Sequence, residues 1–360
     1  MRILITTITA LVALAVVWLG AGPSLAHACA GLIGSNGAVN LGRTTTLAAY
    51  HDGVEHYITA FQFQGGGGEF GALIPLPGVP TKVERGGSWT LQRLARETEP
   101  AFASFELTAN SARLADAEVL LEIRIDALDL TVLRGGGPAV AAWAQEHDFR
   151  LSPDAPEVLD FYAERSPIFL AAVFDGEAAL ARGQQLGDGT PVHLTIPTSN
   201  PWVPLRILAL GKQPEDRVEA DVFLLTEERP ALLPAPHEGF TLAHSEPATT
   251  ALLDDLRADD GMSWVPQSAW LTKLVVDTAA ANLSFDLAVD ASGRASPSLV
   301  AAGLVLPNVG DGESLPSASD GEGLPSAGDG EAFAWSAAWA VAAVLALVPV
   351  AFLARRPRVH

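Results

Sequence analysis

Two histidines near the start of the chain are its nearest approach to a metal site. His51 and His56 flank the dipeptide Asp52-Gly53, which is typical of a type I′ hairpin. In that hairpin both histidines lie diagonally on one face, while Glu55 points to the opposite face. Zinc sites take three or four ligands, so two histidines are too few. The sequence therefore predicts a solvated hairpin tip and no metal ligands.

Two glycine-rich stretches have the composition of phosphate-binding loops but not their context. Gly66, Gly68 and Gly71 have the spacing of the dinucleotide fingerprint and follow a predicted strand. Prolines follow them, whereas the fingerprint requires a helix whose N-terminal amides face the pyrophosphate. The glycines at 135–137 lack the Lys-Ser or Lys-Thr of a phosphate loop. We therefore expect no bound cofactor.

The serines and the remaining histidines give no pattern of nucleophilic catalysis. Ser35 and Ser88 have glycine neighbours, but neither completes the elbow that exposes a serine between strand and helix. A histidine that stands alone is more often structural or solvated than catalytic. The histidines of this kind are His147, His193, His237 and His244. The sequence predicts no catalytic residue.

Paired carboxylates leave one catalytic alternative open. They flank a predicted helix at 249–256, where a solvated acidic face is the expected arrangement. The pairs are Asp254-Asp255 and Asp259-Asp260. A hydrolase with two carboxylates remains the alternative, because the separation of such groups depends on the fold and not on sequence spacing.

Strands are expected to dominate the chain, because short β-branched runs alternate with Pro, Gly and charged residues. The hairpin strands are predicted at 44–51 and 54–64, and their core face carries Tyr50, Tyr57, Phe61 and Phe63. The run 71–80 contains three prolines, which favours an edge strand or an extended segment. Further strands are predicted at 118–133, 168–174, 192–196, 203–210, 218–225, 271–276 and 283–289.

A few helices are inserted among these strands. Ser88 is predicted to cap the first helix, with Trp89, Leu91 and Leu94 as its core stripe. Others are predicted from Pro138, at 156–165 and at 249–256. Strands with few inserted helices indicate an α+β fold with mostly antiparallel strands rather than alternating βαβ units. A split into two subdomains near Gly135 is an open possibility.

Apolar stretches at both ends predict export and anchoring. Residues 1–28 have the positive start, apolar run and small-residue end of a signal peptide. Residues 332–354 carry no charge and would form a helix roughly 35 Å long, enough to cross a bilayer. The basic tail 355–360 is then cytoplasmic by the positive-inside rule. We expect a single-pass membrane protein whose N-terminal domain is extracytoplasmic.

Between these ends the sequence predicts a globular domain at 29–306 and a stalk at 307–331. The stalk repeats Asp-Gly-Glu and Leu-Pro-Ser-Ala, which are too polar and too rich in Gly and Pro to bury a core. The chain has 22 Lys and Arg against 42 Asp and Glu, which argues against a nucleic-acid partner. Cys29 would follow the cleavage site, so attachment of a lipid there is an alternative to simple cleavage.

Several segments together resemble a family of secreted bacterial proteins, domain of unknown function 2330. They are Cys29-Ala-Gly, 70–77 (Phe-Gly-Ala-Leu-Ile-Pro-Leu-Pro), Trp143, 149–153 (Phe-Arg-Leu-Ser-Pro), Tyr162, 169–173 (Phe-Leu-Ala-Ala-Val) and 197–206. The resemblance covers roughly 29–276. Family members tend to have a second cysteine where this chain has Gly34, so a disulfide is not expected here. The resemblance implies an extracytoplasmic location and supports the fold, and it implies no activity.

The sequence thus favours a membrane-anchored extracytoplasmic domain with a binding, scaffolding or envelope-associated role and without catalysis. Its expected partners are the membrane, through the C-terminal helix, and an envelope protein or a glycan. The alternative is the envelope hydrolase with converging carboxylates.

Overall fold

The computed structural model of the protein describes residues 31–34, 37–38, 43–62, 69–98, 119–184 and 189–305. All of them lie in the first of two compact units, Met1–Val309, and the second unit is Gly310–His360. Several sequence predictions lie outside the described residues: the signal peptide at 1–28, Cys29, Ser35, Phe63, Gly66, Gly68, the stalk at 307–331, the membrane helix at 332–354 and the tail at 355–360. None of the described helices has the length and apolarity that crossing a membrane requires.

The described strands are, in chain order, β1 (Gly31–Gly34), β2 (Gly37–Ala38), β3 (Thr44–His51), β4 (Val54–Gln62), β5 (Glu69–Pro75), β6 (Lys82–Arg85), β7 (Val119–Ile125), β8 (Leu128–Arg134), β9 (Ile168–Asp175), β10 (Gly189–Pro197), β11 (Trp202–Val203), β12 (Arg217–Thr226), β13 (Ala231–Leu233), β14 (Phe240–Pro247), β15 (Trp270–Ala279) and β16 (Leu287–Asp290). The described helices are α1 (Thr90–Thr98), α2 (Gly137–Glu146), α3 (Ala155–Ala163), α4 (Gly176–Ala181) and α5 (Thr250–Ala258), with 3₁₀ turns at Arg206–Ala209 and Ala280–Asn282.

These strands form two large sheets and one small sheet. The seven-stranded sheet has the order β14-β15-β12-β3-β4-β10-β6, and the six-stranded sheet has the order β2-β1-β5-β9-β8-β7. The small sheet has the order β11-β16-β13. β12 pairs with β3 in parallel, and the other pairs among the described strands are antiparallel. The fold is therefore strand-rich α+β with mostly antiparallel pairing, as predicted.

The two large sheets pack face to face, and helices cover the outer face of each. Side chains from both sheets fill the space between them, including Tyr57 and Phe61 of β4 and Phe70 of β5. On their outer sides, α2 and α3 cover the six-stranded sheet, and α1 and α5 cover the seven-stranded sheet. Central strands are buried on both faces, which explains why their sequences are apolar almost throughout.

The predicted hairpin is confirmed. β3 and β4 meet at Asp52 and Gly53, whose φ angles of 50° and 77° are the left-handed conformations that a type I′ turn requires. Tyr50 pairs with Glu55, as expected from that turn. Tyr57 and Phe61 face the space between the sheets, so the predicted aromatic core face is also confirmed for the described residues.

The segment at 71–80, predicted as an edge strand or an extended segment, is an extended strand as far as Pro75, but the edge position is wrong. β5 lies inside the six-stranded sheet, where Leu73 is paired with Gly31 of β1 on one side and with Ala171 of β9 on the other. The strand ends at Pro75, so the prolines fall at or after its last residue, where a missing N–H does not interrupt the ladder.

The prediction of a single strand at 118–133 merges two strands. β7 and β8 form a hairpin that turns at Asp126, whose φ is 57°. Asp tolerates the left-handed region because its short side chain bonds locally, but Asp-Ala is a weaker turn signal than Asp-Gly. The turn therefore left little trace in the sequence.

The start of α1 also differs from the prediction. The helix begins at Thr90, and the Asp259 carboxylate binds the two residues just before it, accepting from the backbone N–H of Ser88 at 3.0 Å and of Trp89 at 2.9 Å. Trp89 precedes the helix and is 39% exposed, so it does not belong to the core stripe, whereas Leu91 and Leu94 do. A cap supplied from a distant residue has no local sequence signal.

A buried ion pair joins three distant parts of the chain. Arg165, just after α3, donates from Nη2 to Asp286 Oδ2 at 2.6 Å, and the two side chains are 2% and 0% exposed. The guanidinium also donates to the Ala301 carbonyl at 2.6 Å and lies over the rings of Tyr162 and Trp202. A charged pair withstands burial when its remaining donors and acceptors are satisfied in this way.

The second carboxylate oxygen of this pair explains why the predicted strand at 203–210 is wrong. Asp286 Oδ1 accepts from the Tyr162 hydroxyl at 2.9 Å and from the backbone N–H groups of Leu205 at 2.7 Å and Arg206 at 3.0 Å. β11 therefore ends at Val203, and a 3₁₀ turn follows. Backbone N–H groups of this apolar run therefore donate to the buried Asp286 side chain, and not to a neighbouring strand.

Replacing Arg165 by Met tests how strongly this pair holds the fold. The change leaves the Asp286 carboxylate buried without its counter-charge, so we expect a loss of about 3–5 kcal/mol in the free energy of unfolding. Urea unfolding of the full-length chain in mild detergent, followed by tryptophan fluorescence, measures it. The control is Arg217→Met, which removes a surface pair with Asp277 and is expected to change stability little. Equal losses in the two variants would contradict the assignment.

Candidate functional site

A row of polar side chains crosses the outer face of the seven-stranded sheet near one end. It comprises His51 of β3, His56 of β4, His193 of β10 and Glu84 of β6. The register places Glu84 opposite His193, and His56 one diagonal step from both His51 and His193. The hairpin histidines thus share one face, as predicted, and His193, which stands alone in the sequence, is their neighbour.

The inner members of the row, His56 and His193, form the histidine pair. His56 Nδ1 lies 2.9 Å from His193 Nε2, and His193 is 1% exposed. The His56 ring stacks on Trp264 with a centroid distance of 3.9 Å and an interplanar angle of 2°. On the other side, Glu84 Oε1 lies 3.4 Å from His193 Nδ1. Both rings are therefore held in fixed orientations.

The histidine pair is uncharged at neutral pH. Burial lowers the pKa of His56 to about 4, helped by repulsion from His193 and His51. Burial likewise lowers the pKa of His193 to about 4, and Lys82 adds to the effect. Each neutral ring carries one N–H, so one ring donates and the other accepts in the contact between them. The pair bridges two strands without bringing charge into the core.

The outer member of the row, His51, lies between two carboxylates. Its Nδ1 is 3.2 Å from Glu227 Oε1, and its Nε2 is 3.1 Å from Asp52 Oδ2. One ligand atom from each of these three residues lies within 4.8 Å of the other two. Glu227 reaches this position because the parallel pairing of β12 with β3 sets Thr226 beside Tyr50. A contact between residues 176 positions apart has no local signal, so sequence reasoning missed Glu227.

Glu55 faces the space between the sheets, as predicted. It is 1% exposed, and burial raises the pKa of its carboxyl group to about 8, while the backbone amide of Trp202 opposes the shift only in part. Burial and the neighbouring Glu55 also raise the pKa of Tyr50. The adjoining cavity has a volume of about 10 Å³, roughly the space of one water molecule. A substrate cannot enter it.

An open depression of about 440 Å³ lies at the opposite end of the seven-stranded sheet. Its lining combines the half-buried ring of Phe285 with the polar side chains of Thr278, Asn282, Ser284 and Glu238, and Phe240 at the same place is 1% exposed. Phe285 packs edge-on against Phe240 at 6.1 Å, and Asn282 Nδ2 donates to Thr278 Oγ1 at 3.0 Å. His237, at the rim, was predicted to stand singly, and its ring lies 6.0 Å from that of Phe285.

The paired carboxylates do not form one cluster, and the prediction that all four form a solvated face is wrong for Asp259. Asp259 is only 5% exposed. Its carboxylate binds the chain at the start of α1, where it also accepts a hydrogen bond from the Thr90 hydroxyl at 2.8 Å. Asp254 pairs with Arg257 on the helix surface, and Asp255 pairs with Arg93 at 2.8 Å. Each of these three acids has a structural partner.

The fold and these sites define a strand-rich α+β domain with an open depression and a polar row at opposite ends of one sheet. The chain belongs to the family described as "Uncharacterized protein conserved in bacteria (DUF2330)", which matches residues 23–288. The resemblance noted in the sequence is thereby confirmed. No curated protein matches the chain significantly.

Solved structures of baculovirus P35 show a weak likeness. A mutated baculovirus P35 after caspase cleavage has a TM-score of 0.38 and 9% identity over 69% of this chain and 99% of that chain. Baculovirus P35 itself has a TM-score of 0.36 and 9% identity over 69% of this chain and 96% of that chain. These TM-scores are too low to establish a common fold.

Glu55 makes the stability of the domain fall as pH rises from 4.5 to about 8. Because its folded-state pKa is raised from 4.5 to about 8, its stabilising effect is full below pH 4.5 and is lost as pH rises to about 8. The variant Glu55→Gln lacks this titration. At neutral pH we therefore expect its free energy of unfolding to exceed that of the native chain by on the order of 3 kcal/mol. Urea unfolding at several pH values measures the difference. The exposed Glu246→Gln serves as control, and a slope retained in Glu55→Gln would contradict the assignment.

The histidine pair has the opposite effect at acid pH. The folded-state pKa of His193 is lowered to about 4 from 6.5, so the stability it supports is present above pH 6.5 and is lost as pH falls towards 4. In the native chain the free energy of unfolding falls between pH 6.5 and about pH 4. In His193→Gln, measured with EDTA present, we expect this fall to be smaller by on the order of 3 kcal/mol. His244→Gln, on the edge strand β14, is the control. An unchanged acid slope in His193→Gln would count against this role.

Proposed function

We propose that this protein is a membrane-tethered extracytoplasmic module that binds a glycan of the bacterial envelope and carries out no catalysis. The observation that carries the proposal is the depression of about 440 Å³, which is open to solvent and lined by aromatic and polar side chains. Ligand sites combine an apolar surface with a few placed polar groups, and this depression has both.

The chemistry of the lining suits a sugar. A pyranose ring presents a face of C–H groups, which packs on an aromatic surface, and a rim of hydroxyls, which bond to amides and hydroxyls. Phe285 is half-buried and supplies the aromatic surface, and the exposed side chains of Asn282 and Ser284 supply polar groups. The depression therefore offers both kinds of contact within one site.

The charge of the chain narrows the class of glycan. A net charge of −20 disfavours polyanions, so a neutral or basic saccharide is the expected ligand. The predicted signal peptide at 1–28 and membrane helix at 332–354 would hold the domain outside the cytoplasm, where envelope glycans occur. The same predictions support the membrane as the second partner.

The hydrolase alternative has less support among the described residues. Glu55 has a raised pKa, as a general acid would require, but its cavity has the volume of one water molecule. Asp254, Asp255 and Asp259 are engaged in structural contacts. A binding role needs none of these groups at the ligand.

Glycan binding by variants of the depression tests the proposal. The full-length chain in mild detergent is titrated by calorimetry with neutral hexose and N-acetylhexosamine oligosaccharides, and we expect saturable binding. Phe285→Leu keeps the apolar packing but removes the ring, and Asn282→Ala removes an exposed amide, so each is expected to weaken binding at least about tenfold, equivalent to roughly 1.4 kcal/mol.

The matched control is Trp89→Ala, which removes an exposed aromatic outside the depression and is expected to bind like the native chain. Thermal midpoints of all variants check that they are folded. Absence of binding by the native chain, or equal weakening by the Trp89 variant, would refute the proposal.

A further inference from the structure

We propose that the tip of the β3–β4 hairpin binds one divalent transition-metal ion through His51, Asp52 and Glu227. This metal site is separate from the proposed glycan site. Thr278, in the glycan depression, pairs with Val218 near the start of β12, whereas Glu227 follows the last residue of that strand. The two sites are thus separated by nearly the length of a ten-residue strand, roughly 30 Å.

Three elements bring the ligands together. His51 is the last residue of β3, and Asp52 is the first residue of the type I′ turn that follows it. Glu227 follows β12, which runs parallel to β3 and ends in register with it. Two side chains are therefore fixed by the hairpin and the third by the sheet.

The distances suit a single ion. One donor atom from each residue lies within 4.8 Å of the other two. Ligands bonded to zinc at about 2.0–2.2 Å in a tetrahedron lie roughly 3.3–3.6 Å apart, so the donor atoms must move closer together by side-chain rotation. Exposed fractions of 37%, 81% and 58% for His51, Asp52 and Glu227 allow these rotations.

Only one ring nitrogen of His51 can bind the ion, and each already faces a carboxylate oxygen, Nδ1 that of Glu227 and Nε2 that of Asp52. The carboxylate at the coordinating nitrogen therefore already lies beside the ion. The other carboxylate must rotate towards the ion, which its exposed side chain allows.

The donor set selects the class of metal. One imidazole and two carboxylates suit Zn²⁺, Cu²⁺ or Ni²⁺, whereas Ca²⁺ and Mg²⁺ prefer sets made entirely of oxygen. Two carboxylates also balance the charge of a divalent ion. The sequence-based expectation of no metal rested on the two histidines and Glu55, whereas the proposed site keeps His51, omits His56 and Glu55, and adds Asp52 and Glu227.

The test is zinc binding by the full-length chain in mild detergent. Calorimetry after treatment with EDTA is expected to show one saturable Zn²⁺ site that excess Mg²⁺ does not occupy. Co²⁺ added in place of Zn²⁺ is expected to give visible absorption bands of a bound ion. His51→Ala and Glu227→Gln are each expected to weaken Zn²⁺ binding tenfold or more, and to abolish the Co²⁺ bands.

His244→Ala is the control, because it removes a histidine on the edge strand β14 of the same sheet, away from the hairpin, and is expected to leave binding unchanged. Equal thermal midpoints in EDTA show that the variants are folded. Zinc binding that persists in His51→Ala would overturn the proposal, and so would its absence from the native chain, in which case His51 serves as an ion-pair partner of two carboxylates.

Discussion

The buried pair of Arg165 and Asp286 is the interaction on which the arrangement of this domain depends. Removing two charges from water costs several kcal/mol for each ion, and their mutual attraction repays that cost only when every remaining donor and acceptor is satisfied. Here the carboxylate binds backbone and hydroxyl groups as well as the guanidinium, and the guanidinium lies on aromatic rings. Such a network tolerates one geometry, so it fixes the 3₁₀ turn against α3.

A related use of buried acids recurs elsewhere in this acidic chain. Asp259 accepts from the backbone N–H groups of the two residues that precede α1. Asp126 pairs with Arg85 at 2.7 Å, which joins β6 at the edge of one sheet to the β7–β8 turn of the other. In both places a buried carboxylate accepts hydrogen bonds from donors that are not bonded within a helix or a sheet. Some of the acidic residues of this chain therefore stabilise its interior and do not contribute to an acidic surface.

Local patterns were sufficient to predict the hairpin, most strands, the helices at α2, α3 and α5, and the shared face of His51 and His56. Each of these features is determined by residues close together in sequence, through alternation, turn residues or helical spacing. Three of the errors have a common physical origin. The partner of the segment at 203–210 is Asp286, the acceptor just before α1 is Asp259, and the neighbours of the hairpin histidines are His193 and Glu227, each distant in sequence. Tertiary contacts of this kind leave no periodic signal.

The contacts of the last described segment also determine how the domain carries a mechanical load. Arg165 donates to the carbonyl of Ala301, and the backbone N–H of Asp286 donates to the carbonyl of Ala302. If the chain is tethered through its predicted membrane helix, tension applied there passes through these bonds to α3 before it reaches either large sheet. This short segment, bonded to a buried arginine, would then be the first part of the domain to receive the force, before the sheets.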